Sequence, residues 1–325
     1  REREREGTTH THTHMRGALV GVFVLLATVA LLAAVECVGA FVPLQDPLVF
    51  GHRGFSDNAP ENTMASFREA QLAGANGFET DLHVTLDGHI VLIHDKTLDR
   101  TTNCTGSVAS VTLAQLRYCN AAAHYTGNPK YMNTFEAIPT FEEALSFAAA
   151  HDLHVICDMK DTSVGIGALM LPILQKTNMV HKIIVSCWNN DQLQDIRQTL
   201  PQSPPQMLRG DDIDVTISTL LEQATEQGSQ GFSLKNTLVN ETVVREAHSR
   251  LFSVFVWTVT TQDMMNNMFA LGVDGVITNN PRFAFSVPKD TNPSSEGYPA
   301  WQVCVCACVC HPSLLPSAYP FFLIM

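Results

Sequence analysis

A (β/α)8 barrel of the TIM type is the fold predicted for residues 43–286, preceded by one N-terminal transmembrane helix or signal anchor. Three observations carry this. Short apolar runs rich in Val, Ile and Phe alternate with stretches of helical periodicity, the pattern of a parallel sheet covered by helices. Residues 48 to about 285 supply one barrel's length, typically about 250 residues. Charged and polar residues gather at the ends of the strand candidates, where barrels of this type carry their reactive groups.

The elements follow in order. Residues 48–51 read as a strand, followed by a helix near 62–73 that Pro60 and Asn62-Thr63 announce. Residues 78–84 and 89–94 are both strand candidates, yet only the hairpin signal Asp87-Gly88 separates them. A tight turn cannot join parallel neighbours, so with nine candidates for eight barrel positions one must stand outside. Residues 103–139 hold one evident helix, 113–118, and read as an excursion over the barrel mouth. The series continues with strands at 153–157, 182–186, 206–208, 231–234 and 253–259, each paired with a helix, near 165–175, 191–200, 214–227, 241–249 and 262–271. It ends at strand 275–278, and no final helix is evident after Pro281.

The ends of the chain are different in kind. Residues 1–14 are an Arg-Glu repeat followed by alternating Thr and His, read as a non-native leader, so the protein proper is taken from Met15. Residues 17–35 carry no charge over nineteen positions, enough for a membrane span of roughly 20 residues and longer than the usual core of a cleaved signal. Residues 15–42 are therefore read as an uncleaved anchor. Arg16 before the span and Glu36 after it place the following domain on the lumenal or extracellular side; a cut after Val38-Gly39-Ala40 would make it secreted. Sequons at Asn103 and Asn240 agree with that side. An oxidising compartment permits disulfides among Cys104, Cys119, Cys157 and Cys187, with no pairing readable. Residues 287–325, with alternating cysteines at 304–310, are read as a non-native or disordered tail. A net charge of -12 without a basic patch excludes a nucleic-acid partner.

Chemistry concentrates between His52 and Gly106. The order is His52-Arg53-Gly54, Pro60-Glu61-Asn62-Thr63, Glu79-Thr80-Asp81, Asp87-Gly88, His94-Asp95 and Leu98-Asp99-Arg100-Thr101-Thr102. Carboxylates suit a divalent metal, a guanidinium suits phosphate oxygens and imidazoles move protons, so the set suits hydrolysis of a phosphate diester. Strand residues two apart share a face, which pairs Glu79 with Asp81 and Asp158 with Lys160. Inward carboxylates lose hydration and repel unless a cation neutralises them. Glu79, Asp81 and Asp158 therefore read as ligands of Mg2+ or Ca2+, against the plainer reading of ion pairs with Lys160 or Arg53. His52 and His94 read as an acid–base pair, and Arg53 with Lys160 as the phosphate holders. Glu61 is a possible metal or substrate group, or simply a helix-terminus charge.

The six motifs in this order resemble those of the glycerophosphodiester phosphodiesterases, and the likeness extends through Asp158-Met159-Lys160, Trp257-Thr258-Val259 and residues 272–278. The resemblance implies a divalent ion on the acidic positions, two catalytic histidines, and Trp257 as a wall for the glycerol end. Its implied reaction cuts deacylated phospholipids into glycerol 3-phosphate and an alcohol. Many members carry Glu where this chain has Asp158; a membrane-anchored eukaryotic branch looks similar in having Asp there. A lysophospholipase D acting on greasier substrates is the alternative, to be told by an apolar pocket lining from residues 103–139, which include Tyr118, Tyr125, Tyr131, Met132 and Phe135. An inactive membrane-tethered binding protein is the reading from another class, and the presence of His52, His94, Glu79 and Asp81 speaks against it.

Overall fold

The structure, a computed structural model, describes residues 47–160, 165–187, 190–200, 206–210 and 216–286. The expected leader, anchor and tail lie outside these residues. Among the described residues no helix is long and apolar enough to cross a membrane.

Among the described residues nine strands follow in chain order: β1 (Leu48–His52), β2 (Gly77–Val84), β3 (Ile90–Leu92), β4 (His154–Met159), β5 (Ile183–Cys187), β6 (Gln206–Gly210), β7 (Gly231–Lys235), β8 (Ser253–Val259) and β9 (Gly275–Thr278). All but β3 pair in parallel, and β1 bonds to both β2 and β9, which closes an eight-stranded ring. The spare candidate is β3. It runs antiparallel to the end of β2, with Leu92 opposite Leu82, because the chain reverses at Asp87-Gly88, where Gly88 has φ 81°. Thr85 Oγ1 donates to Asp87 Oδ1 at 2.7 Å and fixes that reversal.

The helices are α1 (Met64–Leu72), α2 (Leu113–Leu116), α3 (Phe141–Ala150), α4 (Ile166–Thr177), α5 (Asn190–Thr199), α6 (Ile217–Gln227), α7 (Glu241–Ser249) and α8 (Gln262–Ala270). α3 is an addition to the elements expected from sequence. Its signals are nonetheless present: Thr140 and Glu143 form a capping box, and Phe141, Ala144, Leu145 and Ala148 bury one face. After β9 comes a short 3-10 turn, Pro281–Ser286. It is held by the Phe283 carbonyl, which accepts from Gln262 Nε2 at 2.9 Å, and by Arg282 over the Phe55 ring. Among the described residues the ring closes through the β1–β9 pairing, with no long helix after β9.

Inside the barrel, Phe50, Ile156, Ile184, Met207, Phe255 and Ile277 form one apolar layer. The residue two positions further along a strand shares the inward face. His52, Asp158, Ser186, Trp257 and Asn279 thus lie one layer nearer the C-terminal mouth, above Phe50, Ile156, Ile184, Phe255 and Ile277 respectively. Gly77, two before Glu79, allows a tight approach: a Cβ there would fall 2.1 Å from the His154 carbonyl oxygen. The packed layer is the floor of the site.

The excursion has a small core of its own, including Leu98, Val108, Leu116 and Ile138, and a disulfide joins Cys104 to Cys119. Cys157 and Cys187 are buried and form no disulfide, and burial pushes the Cys157 thiol far up. The excursion is tied to α1 by the buried Glu69, whose Oε1 accepts from Lys130 Nζ at 2.7 Å and Tyr131 Oη at 2.6 Å while Oε2 accepts from Asn58 Nδ2 at 2.9 Å. Burial alone would raise the Glu69 pKa, but hydrogen bonds from Lys130 and Tyr131 hold it below the ordinary value. Its stabilising effect is therefore full above the ordinary glutamate range and fades as pH falls below it. Glu69→Ala should cost about 2 kcal/mol, read as a melting temperature lowered by roughly 5 °C, and should speed protease cutting within residues 120–139. Unchanged cutting would show that this tie does not hold the excursion.

Candidate active site

The loop after β1 is shaped by a conformational demand. Arg53 and Gly54 have φ 56° and 83°, values that L side chains adopt at a cost. At Gly54 a Cβ would lie within 2.6 Å of three Ser66 atoms, so glycine is required. This turn aims the Arg53 N–H at Glu79 Oε2, 3.0 Å away, and Ser66 Oγ donates to the Arg53 carbonyl at 2.8 Å. Asn62, φ 53°, donates from Nδ2 to Asp81 Oδ2 at 2.7 Å while its Oδ1 accepts from Thr80 Oγ1 at 2.7 Å. Asn62 thereby fixes the direction of the Asp81 carboxylate.

Glu79, Asp81 and Asp158 converge as expected: each offers an oxygen within 4.8 Å of the others, and all three are buried. β2 and β4 bring them together because Asp81 and Asp158 are register partners. The plainer reading is present as well. Lys160 Nζ lies 3.2 Å from Asp81 Oδ1 and 2.7 Å from Asp158 Oδ2, and Arg53 Nε lies 3.4 Å from Asp81 Oδ2. Burial would raise the Asp81 pKa, but the charges of Arg53 and Lys160 hold it far below the carboxylate range. Three carboxylates so close, all hard oxygen donors, fit a divalent cation, with Arg53 and Lys160 facing the same place from the sides. Glu61 is outside this cluster. It links Arg53 Nη1, at 2.9 Å, to the two Nη atoms of Arg100, at 2.9 and 2.7 Å. Burial would raise its pKa, but hydrogen bonds from Arg100 and the Arg53 charge lower it.

The histidines are held differently. His52 Nδ1 donates to Asn279 Oδ1 at 2.7 Å, which leaves the Nε2 lone pair as the proton acceptor. Burial, helped by the Arg53 charge, pushes its pKa down to about 4, so the ring is neutral at neutral pH. His94 Nδ1 donates to Asp95 Oδ1 at 2.7 Å, and its backbone carbonyl lies 3.3 Å from His83 Nε2. Hydrogen bonds from Arg100 and then His94, against some burial, hold the Asp95 carboxyl at about 2. His52, Glu79 and Asp158 line a cavity whose remaining wall is Ile156, Ser186, Ser233, Trp257 and Ile277. Trp257 Nε1 donates to the Ser233 carbonyl at 2.9 Å, which fixes the indole in that wall.

Several partners here were not assigned roles from sequence: Asn279, Asn62, Arg100 and His83. Asn62 and Arg100 lie within quoted motifs, and Asn279 follows β9, so position alone flagged them. No residue of the 103–139 excursion lines the cavity. Tyr118 and Phe135 are exposed, and Tyr131 packs instead against Ala59 and Ala65. The apolar lining that a lysophospholipase D reading needs is absent from the described walls, and that reading is not favoured.

A parallel barrel that gathers three carboxylates, two cations and two imidazoles at its mouth defines a metal-dependent hydrolase of phosphate esters. Residues 52–282 match the glycerophosphoryl diester phosphodiesterase family, and the chain belongs to that family. It is 32% identical over 239 residues to a glycerophosphodiester phosphodiesterase of Caldanaerobacter subterraneus, covering 72% of this chain and 94% of that one. Over 111 residues it is 45% identical to glycerophosphodiester phosphodiesterase 1 of Homo sapiens, covering 34% of this chain and 32% of that one. The fold is shared with an Oleispira antarctica phosphodiesterase solved in complex with the product sn-glycerol-3-phosphate, with TM-score 0.66 and 23% identity, covering 74% of this chain and 96% of that one.

If the cluster holds a divalent ion, Mg2+ or Ca2+ at about 100 times its dissociation constant should stabilise the protein by about 2.7 kcal/mol, roughly 5–10 °C of melting temperature. Asp158→Asn should abolish that increment. An increment of equal size in the variant would remove Asp158 from the ligand set.

Proposed function

We propose that the chain cleaves glycerophosphodiesters with His52 and His94 as the proton-transfer pair, Glu79, Asp81 and Asp158 as the metal ligands, and Arg53 and Lys160 on the phosphate. The observation that carries this reading is the tautomer imposed on His52: with Nδ1–H bound to Asn279, only Nε2 can accept a proton, and the ring lies in the same cavity wall as Glu79 and Asp158. His52 takes the proton of the attacking hydroxyl, and His94, oriented by Asp95, gives one to the departing alcohol. When bound, the divalent ion would withdraw charge from the phosphate oxygens. Arg53 is placed for this by its ties to Glu61 and Glu79, and Lys160 by its ties to Asp81 and Asp158. Trp257 bounds the glycerol end. The three carboxylates, all hard oxygen donors, would suit Mg2+ or Ca2+.

We further propose that the barrel works on the lumenal or extracellular side of a membrane, tethered by residues 15–42. The disulfide between Cys104 and Cys119 supports an oxidising compartment. Asn103 and Asn240, the two sequon asparagines, are both exposed.

His52→Ala and His94→Ala should each lower kcat for glycerophosphocholine or glycerophosphoinositol by roughly 10²–10⁴-fold with KM little changed, and EDTA should stop turnover. Retention of kcat within about threefold in either variant would exclude that histidine from proton transfer. Arg100→Ala, which frees both Glu61 and Asp95, should lower kcat by about tenfold without touching the ion, as an acid–base group loses its orientation. Protein expressed through a secretory pathway should lose mass on treatment with an N-glycosidase, in two steps removed singly by Asn103→Gln and Asn240→Gln. Failure of both sites to carry sugar would argue against the lumenal placement.

A further inference from the structure

Ser186 stands at the end of β5, two residues beyond Ile184 of the barrel floor and in register with Asp158 of β4. It is 2% exposed, and its Oγ has no hydrogen-bond partner among the described residues. The neighbours Val185 and Cys187 are also buried, so the strand itself needs no polar side chain here. A hydroxyl kept in such a place without a protein partner is unfavourable to folding and calls for a partner that enters the cavity.

The composition of the wall says which part of a ligand that partner is. Glu79, Asp158 and His52 supply its chargeable groups, suited to an ion and a phosphate. The rest of the lining, Ser186, Ser233 and Trp257 over the floor residues Ile156 and Ile277, contains hydroxyls and apolar surface and no charge. An uncharged polyol matches that surface, with C–H groups against Trp257 and the isoleucines and O–H groups toward serine, which both donates and accepts.

We propose that the Ser186 hydroxyl hydrogen-bonds a free glycerol hydroxyl of the bound glycerophosphate and so helps the site to select the glycerol end over other phosphate esters. This rests on the proposed function. The test is calorimetric titration of the whole barrel protein, in Mg2+, with sn-glycerol 3-phosphate and separately with inorganic phosphate. Ser186→Ala should weaken sn-glycerol 3-phosphate by about tenfold, the scale of one hydrogen bond, while the affinity for inorganic phosphate stays within about twofold. Unchanged binding of sn-glycerol 3-phosphate, or equal weakening of both ligands, would overturn the proposal, the second because Ser186 would then serve the phosphate or the ion. If Ser186→Ala does not fold, Ser186→Cys, which keeps nearly the same volume and bonds weakly, is read by the same criteria. Wild-type protein that binds inorganic phosphate but not sn-glycerol 3-phosphate would refute the functional reading itself, an outcome distinct from a failure confined to Ser186.

Discussion

The meeting of three buried carboxylates at the barrel mouth is the constraint on which the rest of the site depends. Glu79, Asp81 and Asp158 come within 4.8 Å of one another, and like charges in a poorly hydrated place repel strongly. Everything around them answers that repulsion. Arg53 and Lys160 bring positive charge, Asn62 and the Arg53 N–H bring hydrogen bonds, and the donor set leaves room for a divalent ion. The left-handed backbone at Arg53 follows from the same demand, since it turns both the N–H and the guanidinium toward the carboxylates.

A second network lies outside the first and extends it toward solvent. Glu61 bridges Arg53 to Arg100, and Arg100 reaches Asp95, which holds His94. One continuous chain of charge-assisted hydrogen bonds therefore runs from Arg53, which ion-pairs with Asp81, to His94. His52 is outside this chain and takes its orientation from Asn279 across the closure of the barrel. The two half-buried imidazoles thus occupy different environments, one beside a neutral amide and one beside a carboxylate.

The fold supplies the distances. Because β1 and β9 hydrogen-bond, Asn279 lies beside His52 although the two are 227 residues apart in sequence. The apolar layer from Phe50 to Ile277 fills the barrel below, and inward side chains two residues further on form the reactive layer. The excursion after β3 leaves the cavity walls free: it is fastened to α1 through Glu69 and carries Arg100 at its root.

Much of this was legible in the sequence. Strand–helix alternation indicated the barrel, the Asp87-Gly88 turn showed that one strand candidate had to leave it, and alternation within strands paired Glu79 with Asp81 and Asp158 with Lys160. Those features depend on local backbone geometry and a period of two, which neighbouring residues encode. The capping box of α3 was equally local. What only the tertiary structure decided involves groups distant in the chain: the pairing of Cys104 with Cys119, the choice of β3 as the outside strand, the Asn279 contact that fixes the His52 tautomer, and the Glu61–Arg100–Asp95 link. The sequence determined which chemical groups were available and which strand face each would share; the closing of the ring decided which of them meet, because contact across a barrel depends on strand register and closure, which no single segment contains.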